Sequence, residues 1–292
     1  MSTTTPDLLG VNVAAVTPRG KAGEVNFGAT FELIDYLSAA RVGGIALFTA
    51  WGEYPALAAD DRSRLTYLAV KRSRVPVLAG VGSATLDVSL ALARDARDAG
   101  VSALLAPPPL GALHNQRYDQ DDIREYYLQF AAQLGGGVPL FLSGEIARET
   151  ALGLLETGSF AGIETAEALD SWRGRTVLAG DDGLFVRARS AGLGVMSAAA
   201  CAAPELAMAL DRAIASGDSE RLGRLEAMWQ ELTGWMARFP QPAGVKTAVS
   251  VRGVKTGPLP APLSPRKQAS LGQFREWFAG WLPDTRKLTA HG

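Results

Sequence analysis

Cysteine and histidine are nearly missing from this chain of 292 residues. Cys201 is its one cysteine, so no disulfide can close within the chain and no cysteine-based zinc site can be built. His114 and His291 are its only histidines, which argues against a multi-histidine metal centre. Lysine is scarce as well, occurring only at positions 21, 71, 246, 255, 267 and 287. A charge surplus is lacking: 29 Lys and Arg face 30 Asp and Glu, for a net charge of -1. Composition therefore indicates neither nucleic acid nor membrane as a partner. The N-terminal stretch MSTTTPDLLGVNVAAVTPRG has no basic region ahead of its apolar run. That run is too short and too interrupted for a signal peptide or a membrane span, so a cytoplasmic protein is expected.

What is present is a repeated rhythm. Hydrophobic residues make up 47% and charged residues 20%, enough for a sizeable core. Apolar, strand-like runs occur at 9–16, 44–48, 75–81, 101–106, 138–142, 160–164, 176–180 and 194–198. Each precedes a helix-like run, at 27–40, 60–71, 85–99, 121–134, 149–155, 166–172, 183–191 and 204–216. Asp60 reads as an N-cap, and Pro204 suits a first helical turn. Continuous apolar strands alternating with helices imply a parallel sheet. Eight units favour an α/β fold of the (β/α)8 TIM-barrel type over an open doubly wound sheet. The glycines of Gly80-Val81-Gly82 do not complete a dinucleotide fingerprint, and no cofactor is expected. The sequence divides into a barrel, 1–216, and a helical C-terminal extension, 217–292, whose Trp residues are expected to pack on the barrel or a partner subunit.

Barrel chemistry sits where strands end at their C-terminal side. Those ends read Thr49-Ala50-Trp51-Gly52-Glu53, Ala106-Pro107-Pro108-Pro109, Ser143-Gly144-Glu145, Glu164-Thr165, Gly180-Asp181-Asp182 and Ser197. With Thr17-Pro18, Leu57-Ala-Ala-Asp-Asp-Arg62, the run 75–82, Gly194 to Ser197, Pro242 to Ala248 and Pro262 to Pro265, their order resembles the dihydrodipicolinate synthase / N-acetylneuraminate lyase superfamily. The likeness covers nearly the whole chain. It implies a lyase or aldolase-like barrel acting on a small keto acid or sugar acid, assembled as a homodimer or homotetramer.

The resemblance also exposes departures. The family motif Gly-Ile-Lys, whose lysine amine attacks a keto group to form an iminium, reads Gly162-Ile163-Glu164 here. Ser143 takes the place of a proton-relaying tyrosine, Pro108 and Pro109 of paired tyrosines, and Ala50 and Trp51 of carboxylate-binding threonines. Lys246 matches the extension's own lysine, so no slip of alignment supplies the missing amine. Glu53, Arg148 and Asp181 remain of the substrate-facing set, and Arg148 matches the arginine that binds a substrate carboxylate.

Glu164 and Ser143 are thus the candidate catalytic residues, and Thr49, Ala50, Trp51, Glu53, Arg148, Asp181 and Ser197 the candidate binding residues. Each has a plainer alternative. Glu164 is either a base or a relic paired with a neighbour. Glu53 and Asp181 are ligands, members of a carboxylate cluster with Glu145 and Glu164, or helix caps. Arg148 is an anion clamp or a surface ion pair. Trp51 stacks on a ligand or plugs the pocket, and Cys201 and His114 read as a packed and a solvated residue. The function is then a divergent lyase without Schiff-base chemistry, or a catalytically inactive paralogue that binds a small molecule or regulates.

Overall fold

Strands of three or four residues form the sheet, and burial along them is continuous except at two positions. They are β1 (Val11–Ala14), β2 (Gly44–Leu47), β3 (Val77–Gly80), β4 (Ala103–Ala106), β5 (Leu140–Ser143), β6 (Gly162–Thr165), β7 (Val177–Ala179) and β8 (Gly194–Ser197). Only Ser143 in β5 and Glu164 in β6 are part-exposed. Strands covered on both faces must be apolar throughout, which is why these read as unbroken runs. In the computed structural model, which describes residues 8–113 and 118–289, and the side chains of these except 112–113 and 284–289, all neighbours pair in parallel. The sheet closes where Val13 of β1 aligns with Ser197 of β8, giving a TIM barrel.

Helices return the chain between strands: α1 (Phe27–Ala39), α2 (Ala59–Arg72), α3 (Leu86–Ala99), α4 (Leu110–Leu113), α5 (Gln120–Leu134), α6 (Arg148–Glu156) and α7 (Phe185–Ser190), while α8 (Ala199–Ala202) and α9 (Pro204–Ser216) follow β8. Between β6 and β7 the return is only a 3₁₀ turn, Leu169–Trp172. Asn26 caps α1 through the Ala29 amide, and Asp119 opens α5 with a reciprocal capping box. Gly100 ends α3 at φ +92°, a left-handed conformation that glycine adopts without penalty. Asp60 is not the cap of α2. Ala58 holds that position, and Asp60 and Asp61 lie in the first turn, where the helix dipole favours acids.

Three further helices follow: α10 (Ser219–Met236), α11 (Ala243–Val251) and α12 (Pro265–Thr289). Trp229 of α10 packs on Phe185 of α7, with ring centroids 4.7 Å apart. Trp235 instead meets Phe274 and Trp277 of α12, so the other tryptophans of this region pack mainly among themselves. Cys201 is fully buried in α8, and burial pushes its thiol up to about 12. His114 and His291 lie outside the described residues.

Candidate active site

Parallel register places Ser143 directly beside Glu164 on neighbouring strands. Ser143 Oγ donates to Glu164 Oε2 at 2.7 Å. Burial pushes the Glu164 carboxyl above its ordinary value, while the Ser143 hydroxyl and the Gly144 amide pull it back. Among the described residues no ion pair involves Glu164. Space for its carboxylate comes from Gly180, just past β7: a methyl group there would lie 2.1 Å from Glu164 Oε1.

These residues line a cavity of about 350 Å³ at the C-terminal mouth of the barrel. Leu105, Pro107 and Met196 give it apolar wall, and Phe48, Trp51 and Tyr54 give it rings. Thr49 and Ala50 line it as well, and Gln241 reaches in from the segment joining α10 to α11. A neighbouring groove of about 620 Å³ shares Gly144, Glu145 and Glu164 with it, so Glu164 stands between the two. No lysine, arginine or histidine occurs among the described lining residues of either.

The segment after β2 is shaped by two left-handed residues, Phe48 at φ 56° and Glu53 at φ 59°. Few non-glycine residues adopt this conformation, and here they bracket the turn that presents Thr49 to Trp51. Thr17 Oγ1 donates to the Gly52 carbonyl at 2.7 Å and fixes that turn. Arg62 secures the other side. Its guanidinium is buried between Phe48 and Tyr54, 5.4 Å from each ring, and donates to the carbonyls of Gly80 and Gly82. Burial pulls Arg62 down to about 10.

Four predicted site residues lie elsewhere. Glu53 neither lines the cavity nor caps a helix through its side chain. It is buried against Lys246 of α11, with Oε1 2.8 Å from Nζ, and Arg19 lies 3.9 Å from its other oxygen. Lys246 Nζ also donates to the Pro258 carbonyl, and burial lowers its ammonium below the ordinary value. Arg148 opens α6 on the surface and donates to Ser171 at 3.3 Å, because the turn after β5 carries it past the mouth. Asp181 is exposed and caps the 3₁₀ turn Asp182–Leu184 through the Gly183 amide at 2.8 Å. Ser197 is buried and donates to Asp182 Oδ1 at 2.5 Å. Of the four carboxylates expected to cluster, Glu145 and Glu164 share the mouth, and Glu53 and Asp181 lie apart from them. Among the described residues no group of three or more His, Cys, Asp or Glu is disposed to hold a metal ion.

Sequence reasoning passed over Asp182, Tyr54 and Gln241. Asp182 accepts from Ser197 and from the Ala199 amide at 2.9 Å, its carbonyl accepts from Trp229 Nε1, and burial raises its carboxyl to about 6. Tyr54 and Gln241 directly flank quoted motifs, at Glu53 and Pro242, and that adjacency was the available signal.

Known proteins bear on this geometry. The sequence profile of the dihydrodipicolinate synthetase family matches residues 7–141 and 162–278. The stretch between the two matched spans, 142–161, contains Ser143 and Arg148. An uncharacterised DapA-like lyase of Halobacterium salinarum is 31% identical over 240 residues, 77% of this chain and 78% of that protein. A prophage protein of the dihydrodipicolinic acid synthase family from E. coli K12, solved in complex with pyruvate, superposes with a TM-score of 0.81 at 22% identity, covering 94% of this chain and 98% of that one. The sialic acid aldolase of Ruminococcus gnavus gives 0.82 at 17% identity, covering 95% and 99%. At these identities the two superpositions speak for the barrel alone. The profile match and the halobacterial relative go further, and the chain belongs to the dihydrodipicolinate synthetase family.

Proposed function

We propose that this protein is a lyase-like barrel that handles a small organic ligand at its mouth without covalent attachment. The observation that carries this reading is the lining of the 350 Å³ cavity, which has the Glu164–Ser143 pair and no described lysine. By resemblance, Glu164 occupies the position of the iminium-forming lysine. A carboxylate cannot make that bond, but it can take or deliver a proton, and a raised pKa brings it nearer the range where it does both. Ser143 acts as the positioning residue, holding one carboxylate oxygen while the other stays open towards Gly180.

A binding-only paralogue is the second reading. It is favoured by Arg148, the arginine expected to hold a substrate carboxylate, facing Ser171 outside the cavity lining. With the family we also propose a cytoplasmic homodimer or homotetramer, which sedimentation of the purified chain checks. No helix among the described residues is long and apolar enough to cross a membrane.

Borohydride reduction in the presence of pyruvate, followed by intact-mass measurement, is expected to leave the chain unmodified. A stable adduct on any lysine of the barrel mouth overturns the proposal. Glu164→Lys is expected to restore little turnover, because Ala50, Trp51 and Ser143 also depart from the family pattern.

A further inference from the structure

The two neighbouring spaces at the barrel mouth share an unusual balance of charge. Glu145 and Glu164 line both, and Glu167 adds a third carboxylate to the outer groove. No cationic side chain among the described residues lines either space. A ligand carboxylate entering here would give up its water and meet like charge with no guanidinium or ammonium to receive it. The walls favour the opposite sign. Trp51 presents a ring system, whose faces attract cations, whereas the Tyr54 ring already has the Arg62 guanidinium 5.4 Å from its centroid. An alkylammonium carries three donors and no acceptor, so the Glu164 carboxylate, which Ser143 engages through one oxygen, suits it.

We propose that the barrel mouth takes a small ligand bearing an ammonium group, which docks on Glu164 beside Trp51, rather than a ligand anchored by a carboxylate. This rests on the reading of the mouth as a non-covalent ligand site. A cavity of about 350 Å³ lies at the small end of ordinary ligand pockets. The ligand class is therefore a compact primary or secondary amine, with any longer portion running past Glu164 into the groove lined by Glu145 and Glu167.

Titration calorimetry and thermal shift on the full chain test this with matched probes: propylamine, 4-aminobutan-1-ol and benzylamine against propionate, 4-hydroxybutanoate, benzoate and pyruvate. The amines are expected to bind and to raise the melting temperature, and the acids are not. Glu164→Gln is expected to weaken amine binding about tenfold or more, the effect of losing one charge-assisted contact. Trp51→Ala is expected to weaken benzylamine more than propylamine. Preference for the acids, amine binding unchanged in Glu164→Gln, or no response to the whole amine set overturns the inference. Preference for the acids with no borohydride adduct would leave the non-covalent reading standing, whereas an adduct with pyruvate would remove that reading as well.

Discussion

Glu53 and Glu164 are both carboxylates near the mouth of one barrel, and their surroundings are opposite. Glu53 is sealed from solvent, with Lys246 at 2.8 Å and Arg19 at 3.9 Å. Glu164 faces open volume and has a single hydroxyl, that of Ser143, at 2.7 Å. Lys246 belongs to α11, so the first carboxylate fastens the C-terminal helices to the β2 turn. The second fastens nothing to the barrel beyond its neighbouring strand. A buried charge with a matched partner does structural service, and one left without a cation beside a cavity is poised for something that arrives from outside.

Four experiments break or sharpen this contrast. Lys246→Met should have the largest effect, because it strands the Glu53 carboxylate in the interior. The expected loss is about 3–5 kcal/mol in urea unfolding, recovered in large part by the double variant Lys246→Met with Glu53→Gln. A loss indistinguishable from a surface substitution would erase the distinction between the two glutamates. Gly180→Ala should cost up to about 1 kcal/mol, because the added methyl group displaces only the far end of the Glu164 side chain, which has the cavity to move into. Combined with Glu164→Ala, the same change should cost little, and a double-mutant cycle measures the difference.

Asp182 supplies the third comparison. Its carboxyl is raised to about 6, so the folded chain binds that proton more tightly than the unfolded chain. Stability contributed by this group is therefore present below pH 4 and declines as pH rises through 6. Melting temperatures across that window should flatten in Asp182→Asn, with a difference on the order of 1 kcal/mol. Glu164→Gln should be the mildest for stability, neutral or stabilising by up to about 1 kcal/mol, since it removes an unpaired charge. A marked destabilisation would show that Glu164 has a structural partner after all.

The barrel was readable because burial on both faces leaves an apolar run that no surface strand displays, and eight such runs appear in sequence. Boundaries were less so. The fifth strand was expected to start at Val138 but begins at Leu140, just past Pro139, which lacks an N–H for the ladder. The strand also ends one residue beyond the expected 142, at Ser143, which stands in register with Glu164. Thr49, Ala50, Trp51, Ser143 and Glu164 gather at the mouth because they sit at strand ends, which sequence locates well. Glu53 escaped that logic: its left-handed turn and a partner 193 residues away leave no local trace. Arg148 escaped it too, since a helix that starts at that residue carries its side chain to the surface.

Gln241 and Lys246 come from beyond the eight strand–helix units, yet one borders the cavity and the other locks the turn that shapes it. Excising the barrel at residue 216 would therefore not yield a minimal ligand-handling unit. Any attempt to transplant this mouth onto another scaffold must carry the two C-terminal contributors along, or rebuild the surfaces they complete.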